Sequence, residues 1–511
     1  MSEPSSDSPP AAAGDPRDRV RRVRPVPRVA SLGLVVAVLA LAAATSQVTR
    51  HAPPQPAPVA MPVAAPAAAV SSSWFCAGPV ASPSRLADGH LVIANAAARP
   101  LHGRVTLMAS NGPPVSQDIQ VDPAGQLIVA EKPSGTAPPY LGAVVDLDGG
   151  RAAVQQVVTG SEGTSSTACA TSGSTGWYFP TGTTQESAAL SLTLVNPYPD
   201  DAIADLSFTT EQGQESPQDF QGIVIPGGTM AAFDLGSHLR LRASVATTVT
   251  LRVGRLVAFE TQTVQAQSQA AAATNPSGAT PWPPGVSVTL GAPSVGSSWW
   301  WASGSAGDGT TEQYVIYNPG AGPANISLQF DLDLGSADPL QVSVDPHGMA
   351  VVVTNSESRI PKGVGHGATL RSTNGVGVVA ERVVLATSPA SQTGIAEMFG
   401  SRLTAGRWLV PGDGATDSVV PSLAIYNPGS AAVRVSISSL DGALTTLDGQ
   451  GAVTIPGHHR YLLGASPGAN GAGPDRALVV AAHAGGPVVV ENDTSPAKGI
   501  GIDTATGVPL D

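Results

Sequence analysis

Two stretches of the chain decide its fold: Tyr314-Val-Ile-Tyr-Asn-Pro-Gly320 and Leu423-Ala-Ile-Tyr-Asn-Pro-Gly429. They are nearly the same sentence, and aligning on the Asn finds it twice more. Asn95, Asn196, Asn318 and Asn427 each close an apolar run: Leu91-Val-Ile-Ala, Leu192-Thr-Leu-Val, Tyr314-Val-Ile-Tyr and Leu423-Ala-Ile-Tyr. A Trp stands upstream of each, at Trp74, Trp177, Trp299 and Trp408. A second Pro follows each at Pro123, Pro226, Pro346 and Pro456. Further on come Ala153-Val-Gln-Gln156, Val257-Ala-Phe-Glu260, Val378-Val-Ala-Glu381 and Val488-Val-Val-Glu491. Four landmarks in one order at nearly fixed spacing make four copies of one unit.

The landmarks have local readings. A residue before Pro is pushed to extended backbone, so the Asn ends a strand. Pro presets the next backbone angle, and Gly320 and Gly429 are expected to take the positive φ of a type II turn. Alternating segments such as Ile326-Ser-Leu-Gln-Phe330 and Val433-Arg-Val-Ser-Ile437 read as strands with one buried face. The Val-x-Pro segments end further strands, because Pro cannot donate to a ladder.

Each copy holds about seven or eight strand candidates, and copies follow one another every 101–122 residues. That size predicts an all-β tandem array of four immunoglobulin-like β-sandwich modules. A propeller blade needs only about 40–50 residues, so one blade per copy does not fit, while two blades per copy stay open. The expected modules are 71–170, 171–267, 297–390 and 404–508, with a Gln/Ala/Pro linker over 268–296.

Composition agrees with strands and turns. Of 511 residues, 57 are Gly and 46 Pro, only 13% are charged, and 42% are apolar. The net charge is −12, and the first 50 residues run against it with seven Arg and four acids. The acidic remainder argues against nucleic acid as a partner, which is gripped by clustered Lys and Arg.

The N-terminal region reads as an address. An Arg-rich segment over 1–28 precedes an uncharged apolar run, expected at 29–48 to be a single transmembrane anchor with the N-terminus cytoplasmic. Ala42-Ala43-Ala44 offers a cleavage site, so secretion is the alternative. A Pro/Ala stalk over 49–70 would hold the modules off the membrane. Outside the cytoplasm the two cysteines, Cys76 and Cys169, are expected to bridge rather than remain free thiols. In chain-entropy terms, closing a loop of that length is worth at most roughly 4–5 kcal/mol.

The apolar N-terminal run, the Pro/Ala stalk, the cysteine pair around the first module and the Trp…Asn-Pro…Val-Val-x-Glu repeats resemble an actinobacterial membrane-anchored or secreted family of unknown function, domain of unknown function 5719. The likeness spans roughly residues 30–510. It implies an exported protein and no reaction, and it assigns no functional residue.

Candidate sites are few. Trp299-Trp300-Trp301 could form an aromatic platform for a sugar or a partner. Phe75, Tyr178 and Leu409 replace Trp300 in the other copies, which favours a core or junction position. Glu260, Glu381 and Glu491 recur at one place, which favours a structural job. Gly464-Ala-Ser-Pro-Gly468 matches a hydrolase string, but Pro467 has no N–H for an oxyanion. Ser495-Pro-Ala-Lys498 lacks the companions of its family. His458 and His459 are adjacent and face opposite sides of a strand. Asp146 with Asp148, and Asp331 with Asp333, could serve calcium but fit turns better. Asn325 and Asn492 fit a glycosylation string. The expectation is a non-enzymatic cell-envelope scaffold, adhesion or accessory protein without catalytic residue, metal or cofactor. Its partners would be the membrane and a membrane protein or an envelope polysaccharide.

Overall fold

The computed structural model describes residues 62–79, 88–110, 112–131, 140–266, 282–335, 337–388, 392–412, 419–446, 452–464, 476–496 and 501–510. All lie in one compact unit, Pro58–Asp511.

The first repeat shows the plan. Its strands are β1 (Ser72–Pro79), β2 (Asp88–Asn95), β3 (Leu101–Met108), β4 (Val115–Val121), β5 (Gly125–Ala130), β6 (Tyr140–Leu147), β7 (Ala152–Gly160) and β8 (Gly163–Ala168). They interlace into two antiparallel sheets, ordered β1-β6-β3-β4 and β5-β2-β7-β8. The other repeats follow the same order, except that in the fourth a further short strand, Val508–Pro509, pairs with Arg407–Val410. In the second and fourth, the strand matching β4 is split into two short pieces, Gly213–Glu215 with Ile223–Ile225 and Leu444–Thr446 with Val453–Ile455.

The eight sheets form an eight-bladed β-propeller with two blades per repeat, not four immunoglobulin-like sandwiches. The last strands of the repeats, Gly163–Ala168, Gly285–Leu290, Gly394–Phe399 and Asp503–Thr506, meet at the axis. Side chains tie them there. Ser165 Oγ accepts from Val288 N at 2.9 Å, Asp503 Oδ1 accepts from Ser166 N at 2.9 Å, and Thr504 Oγ1 donates to Met398 Sδ at 3.5 Å. Glycine permits the closest approaches. A Cβ on Gly285 would lie 2.6 Å from Ile395, one on Gly394 2.8 Å from Ile502 N, and one on Gly501 3.1 Å from Gly163.

The physical reason for the correction lies on the outer faces. Sheets of an isolated sandwich are buried on one side. Here Val257–Val264 is buried at all eight positions and Gly285–Leu290 at all six. Cores run across repeat borders. Phe75, Ala77 and Met108 of the first repeat pack with Trp177, Leu192 and Phe259 of the second. Leu409, Leu440 and Val479 of the fourth pack with Trp74 and Val145 of the first, which closes the ring.

The end of the expected stalk belongs to that closure. Ala64 is buried, its N–H donates to Pro509 O at 2.9 Å, and Ala65 O accepts from Arg151 N at 2.8 Å. Residues 62–66 therefore join the last strand to the first repeat instead of standing away as a spacer. Cys76 and Cys169 form a disulfide that links β1 to the chain just past β8.

The membrane anchor also needs correction. Among the described residues no helix is long and apolar enough to cross a membrane, so a single-pass anchor has no support. The segment 29–48 lies outside the described residues, as do Ser466 and Lys498.

The repeated motif has a structural cause. Each Asn ends its strand and is buried. Asn318 Nδ2 donates to the carbonyls of Gly322 at 2.8 Å, Val344 at 3.1 Å and Asp345 at 3.1 Å, while its Oδ1 accepts from Gly320 N at 3.0 Å. Asn427, Asn196 and Asn95 repeat the clamp on their own turns. The carboxamide thus pins its own turn to the chain entering the second Pro. Gly320 and Gly429 are not among the residues with positive φ, which corrects the expected turn. The left-handed residue comes after the second Pro instead: Ala124, Gly228, His347 and His458. Asn427→Ala would leave three carbonyls short of their donor. We expect a loss of about 2–3 kcal/mol, read by denaturant unfolding.

Candidate functional site

The groups with chemical potential gather at the seams between repeats and at the axis. Where the second, third and fourth repeats leave their first strands, the residues that follow dock on the next repeat around the ring. Thr181 Oγ1 donates to Glu381 Oε2. Ala302 N and Ser303 N donate to Glu491 Oε1 and Oε2 at 2.6 and 3.0 Å. At the closing seam, Gly412 O accepts from Gln155 Nε2 at 3.2 Å, and Gly412 N donates to Gln126 Oε1 at 3.2 Å. The recurrent Glu therefore marks a junction. The motif tyrosines do the same work: Tyr317 pairs with Thr248 at 3.0 Å, and Tyr426 with Thr369 at 3.1 Å.

Between the second and third repeats, Glu260, Glu381 and Glu397 come together. Thr247 Oγ1 donates to Glu260 Oε2 at 3.1 Å, while Glu381 Oε1 and Glu397 Oε1 are buried without a hydrogen-bond partner. Burial and mutual repulsion push Glu260 and Glu381 well above the usual carboxyl range. Burial raises Glu397 to about 7. Glu131, which accepts from Gln156 Nε2 at 2.8 Å, is likewise raised by burial to about 7.

The seam between the third and fourth repeats carries charge pairs. Arg382 Nη2 lies 3.3 Å from Glu491 Oε2 and 3.4 Å from Asp493 Oδ1, and donates to Thr504 Oγ1 at 2.9 Å. Burial opposes the Arg382 charge, but these carboxyls more than offset it and hold its pKa up. Burial raises Glu491 to about 7 against the pull of Arg382. Nearby, in the core of the third repeat, His366 Nε2 stands 3.0 Å from Glu312 Oε2, with no exposed surface on either side chain. Burial works against the Glu312 carboxylate, yet His366 and Arg382 outweigh it and lower its pKa.

The aromatic and aspartate candidates lie among the described residues. Trp177, Trp299 and Trp408 are buried and donate to backbone carbonyls of Leu256, Val378 and Val488 at 2.8, 3.1 and 3.0 Å. Trp74 is buried with its Nε1 unpartnered. Trp301 is buried and meets Tyr314 edge-on at 5.0 Å. Trp300 is half-buried against Ala424, Tyr426 and Val489 of the fourth repeat. The three indoles are thus divided between a core and a seam and offer no shared outer face. Asp331 accepts from Tyr426 and lies 3.1 Å from His458 Nδ1, and Asp333 pairs with Arg460 at 2.7 Å. Asp146 accepts from Ser73 at 2.6 Å, while Asp148 accepts from His102 N at 2.9 Å. Those carboxylates serve strands and seams, and among the described residues no three His, Cys, Asp or Glu are placed to hold one metal ion.

Sequence reasoning missed Glu397, Arg382, Glu312 with His366, and Arg402. Glu397 was signalled by a single acid inside the apolar run Gly394-Ile-Ala-Glu-Met-Phe399; the others carry no repeat signature.

At the axis, a pocket of about 100 Å³ opens where the innermost strands end. Trp299, Glu397, Phe399, Arg402, Leu403 and Trp408 are among its lining.

Comparison with known proteins gives one family. Residues 128–329 match the family of unknown function DUF5719. The matched span runs from β5 into the third repeat, so it contains the whole second repeat with Glu260 but neither Glu381 nor Glu397, and it describes no activity. No curated protein matches the chain. Among solved structures, an α-L-rhamnosidase of Streptomyces avermitilis complexed with L-rhamnose aligns at 11% identity, over 79% of this chain and 54% of that one, with a TM-score of 0.10. The chain thus spans about half the length of that enzyme. The major pilin of Streptococcus pyogenes aligns at 8% identity, over 62% of this chain and 98% of that one, with a TM-score of 0.13.

Proposed function

We propose that this chain is a non-enzymatic scaffold or accessory protein of an oxidising compartment, a ring that presents surface to a partner. One observation carries the reading: the recurrent acids, tyrosines and asparagines are spent on holding one repeat to the next or on tying turns. A catalytic acid must reach substrate, whereas Glu260, Glu381 and Glu491 are sealed at seams. The Cys76–Cys169 bridge supports the compartment, since such bonds persist where thiols are not kept reduced.

The test is turnover and pelleting together. The purified chain is incubated with chromogenic glycosides, esters and peptides, and separately co-sedimented with isolated cell-wall polysaccharide. We expect no turnover above buffer. Turnover that disappears in Glu397→Gln would sink the scaffold reading. Saturable pelleting would replace the protein partner with a glycan.

A further inference from the structure

We infer that the axial pocket binds a small organic carboxylate with a flat apolar body, held by Arg402. Arg402 lies over the Trp299 ring at 5.0 Å from its centroid. Its Nη1 donates to the carbonyls of Val295 and Ser294 at 2.9 and 3.0 Å and contacts Ser294 Oγ at 3.4 Å. The guanidinium is therefore fixed in place, pressed against Gly296, where a Cβ would collide with it. Nε and Nη2 make no hydrogen bond among the described residues, and no carboxylate there pairs with the charge.

A half-buried cation without a counter-charge is costly, and an incoming anion removes that cost. A planar guanidinium presents two parallel N–H groups, which match the two oxygens of a carboxylate. The rest of the lining is mixed: Phe399, Leu403 and Pro509 give an apolar wall for the body of the ligand, while Glu397, Ser401 and Thr504 line it with polar atoms. Its volume of about 100 Å³ suits a single small ring. Burial holds the Arg402 pKa below its ordinary value, as expected of a cation waiting for an anion. The pocket borders the seams, since Glu397 and Thr504 also line it, and the inference does not depend on the scaffold role.

Benzoate is the probe, and benzamide is its neutral counterpart of the same shape. Binding to the full chain is followed by titration calorimetry and by tryptophan fluorescence, since Trp299 lies directly beneath the Arg402 guanidinium. We expect saturable benzoate binding, with benzamide and inorganic phosphate at least about tenfold weaker, the scale of one charge-assisted contact. Arg402→Gln, checked for folding by near-UV circular dichroism, should weaken benzoate by a similar factor, and Arg402→Lys by less. Equal binding of benzoate and benzamide would overturn the inference, as would no benzoate binding. Unchanged affinity in folded Arg402→Gln would do so too. If that variant does not fold, the comparison of benzoate with benzamide on the unaltered chain still decides.

Discussion

The melting temperature should fall as the pH is raised from 5 to 8. Glu131, Glu397 and Glu491 are held at about 7 by burial, and Glu260 and Glu381 well above their ordinary range. In the unfolded chain a Glu releases its proton near about 4.3. Between that value and about 7 the folded protein therefore binds more protons, and stability declines as pH rises. The stabilisation is complete below the unfolded pKa and is lost through the folded one. For each carboxyl held at about 7 the difference is of order 3 kcal/mol. Repulsion among Glu260, Glu381 and Glu397 couples three of them, so their effects do not simply add. A drop on the order of 10 °C is expected. The opposing groups act elsewhere on the scale: Asp333, whose pKa is lowered first by its hydrogen bond from Arg460, destabilises the fold only when the medium becomes more acid than its unfolded pKa. Calorimetry of the chain and of Glu260→Gln/Glu381→Gln/Glu397→Gln checks this. The triple variant should be flatter between pH 5 and 8 and more stable at pH 8. A melting temperature that climbs with pH in the unaltered chain would refute the protonated seam.

Arg382→Met should cost about 3 kcal/mol, within the range for removing one partner of a buried ion pair. Arg382 is 2% exposed at its side chain, and Glu491 is fully buried against it. Met fills comparable space without the charge, so the loss reports electrostatics more than packing. Glu491 would then be left beside Asp493 with its two backbone donors and no cation, and its pKa should climb further. Glu491→Gln in the same chain should recover part of the loss, because an uncharged amide needs no cation. Denaturant unfolding of the two single variants and the double variant measures the coupling. Additive losses would mean that Arg382 and Glu491 do not act on one another.

The sequence alone determined the repeat, its four landmarks, the strand content and the cysteine pair. Each is local or nearly so: an alternating run ends at Asn, a Pro stops a ladder, and two cysteines have only each other. Glu260, Glu381 and Glu491 stood out because one position carried the same acid three times. Tertiary structure decided how the strands divide between sheets. Alternation tells that a strand has a buried face, and it does not tell whether the second face meets water or another blade. In Val257–Val264 the consecutive polar residues Glu260, Thr261, Gln262 and Thr263 point to both faces of the sheet, yet all are buried. A neighbouring repeat supplies the cover, and that contact is set by ring closure between residues far apart in the chain. The same reason hid the carboxyl cluster: Glu260 and Glu397 are 137 residues apart and share a site only because two repeats stack around one axis.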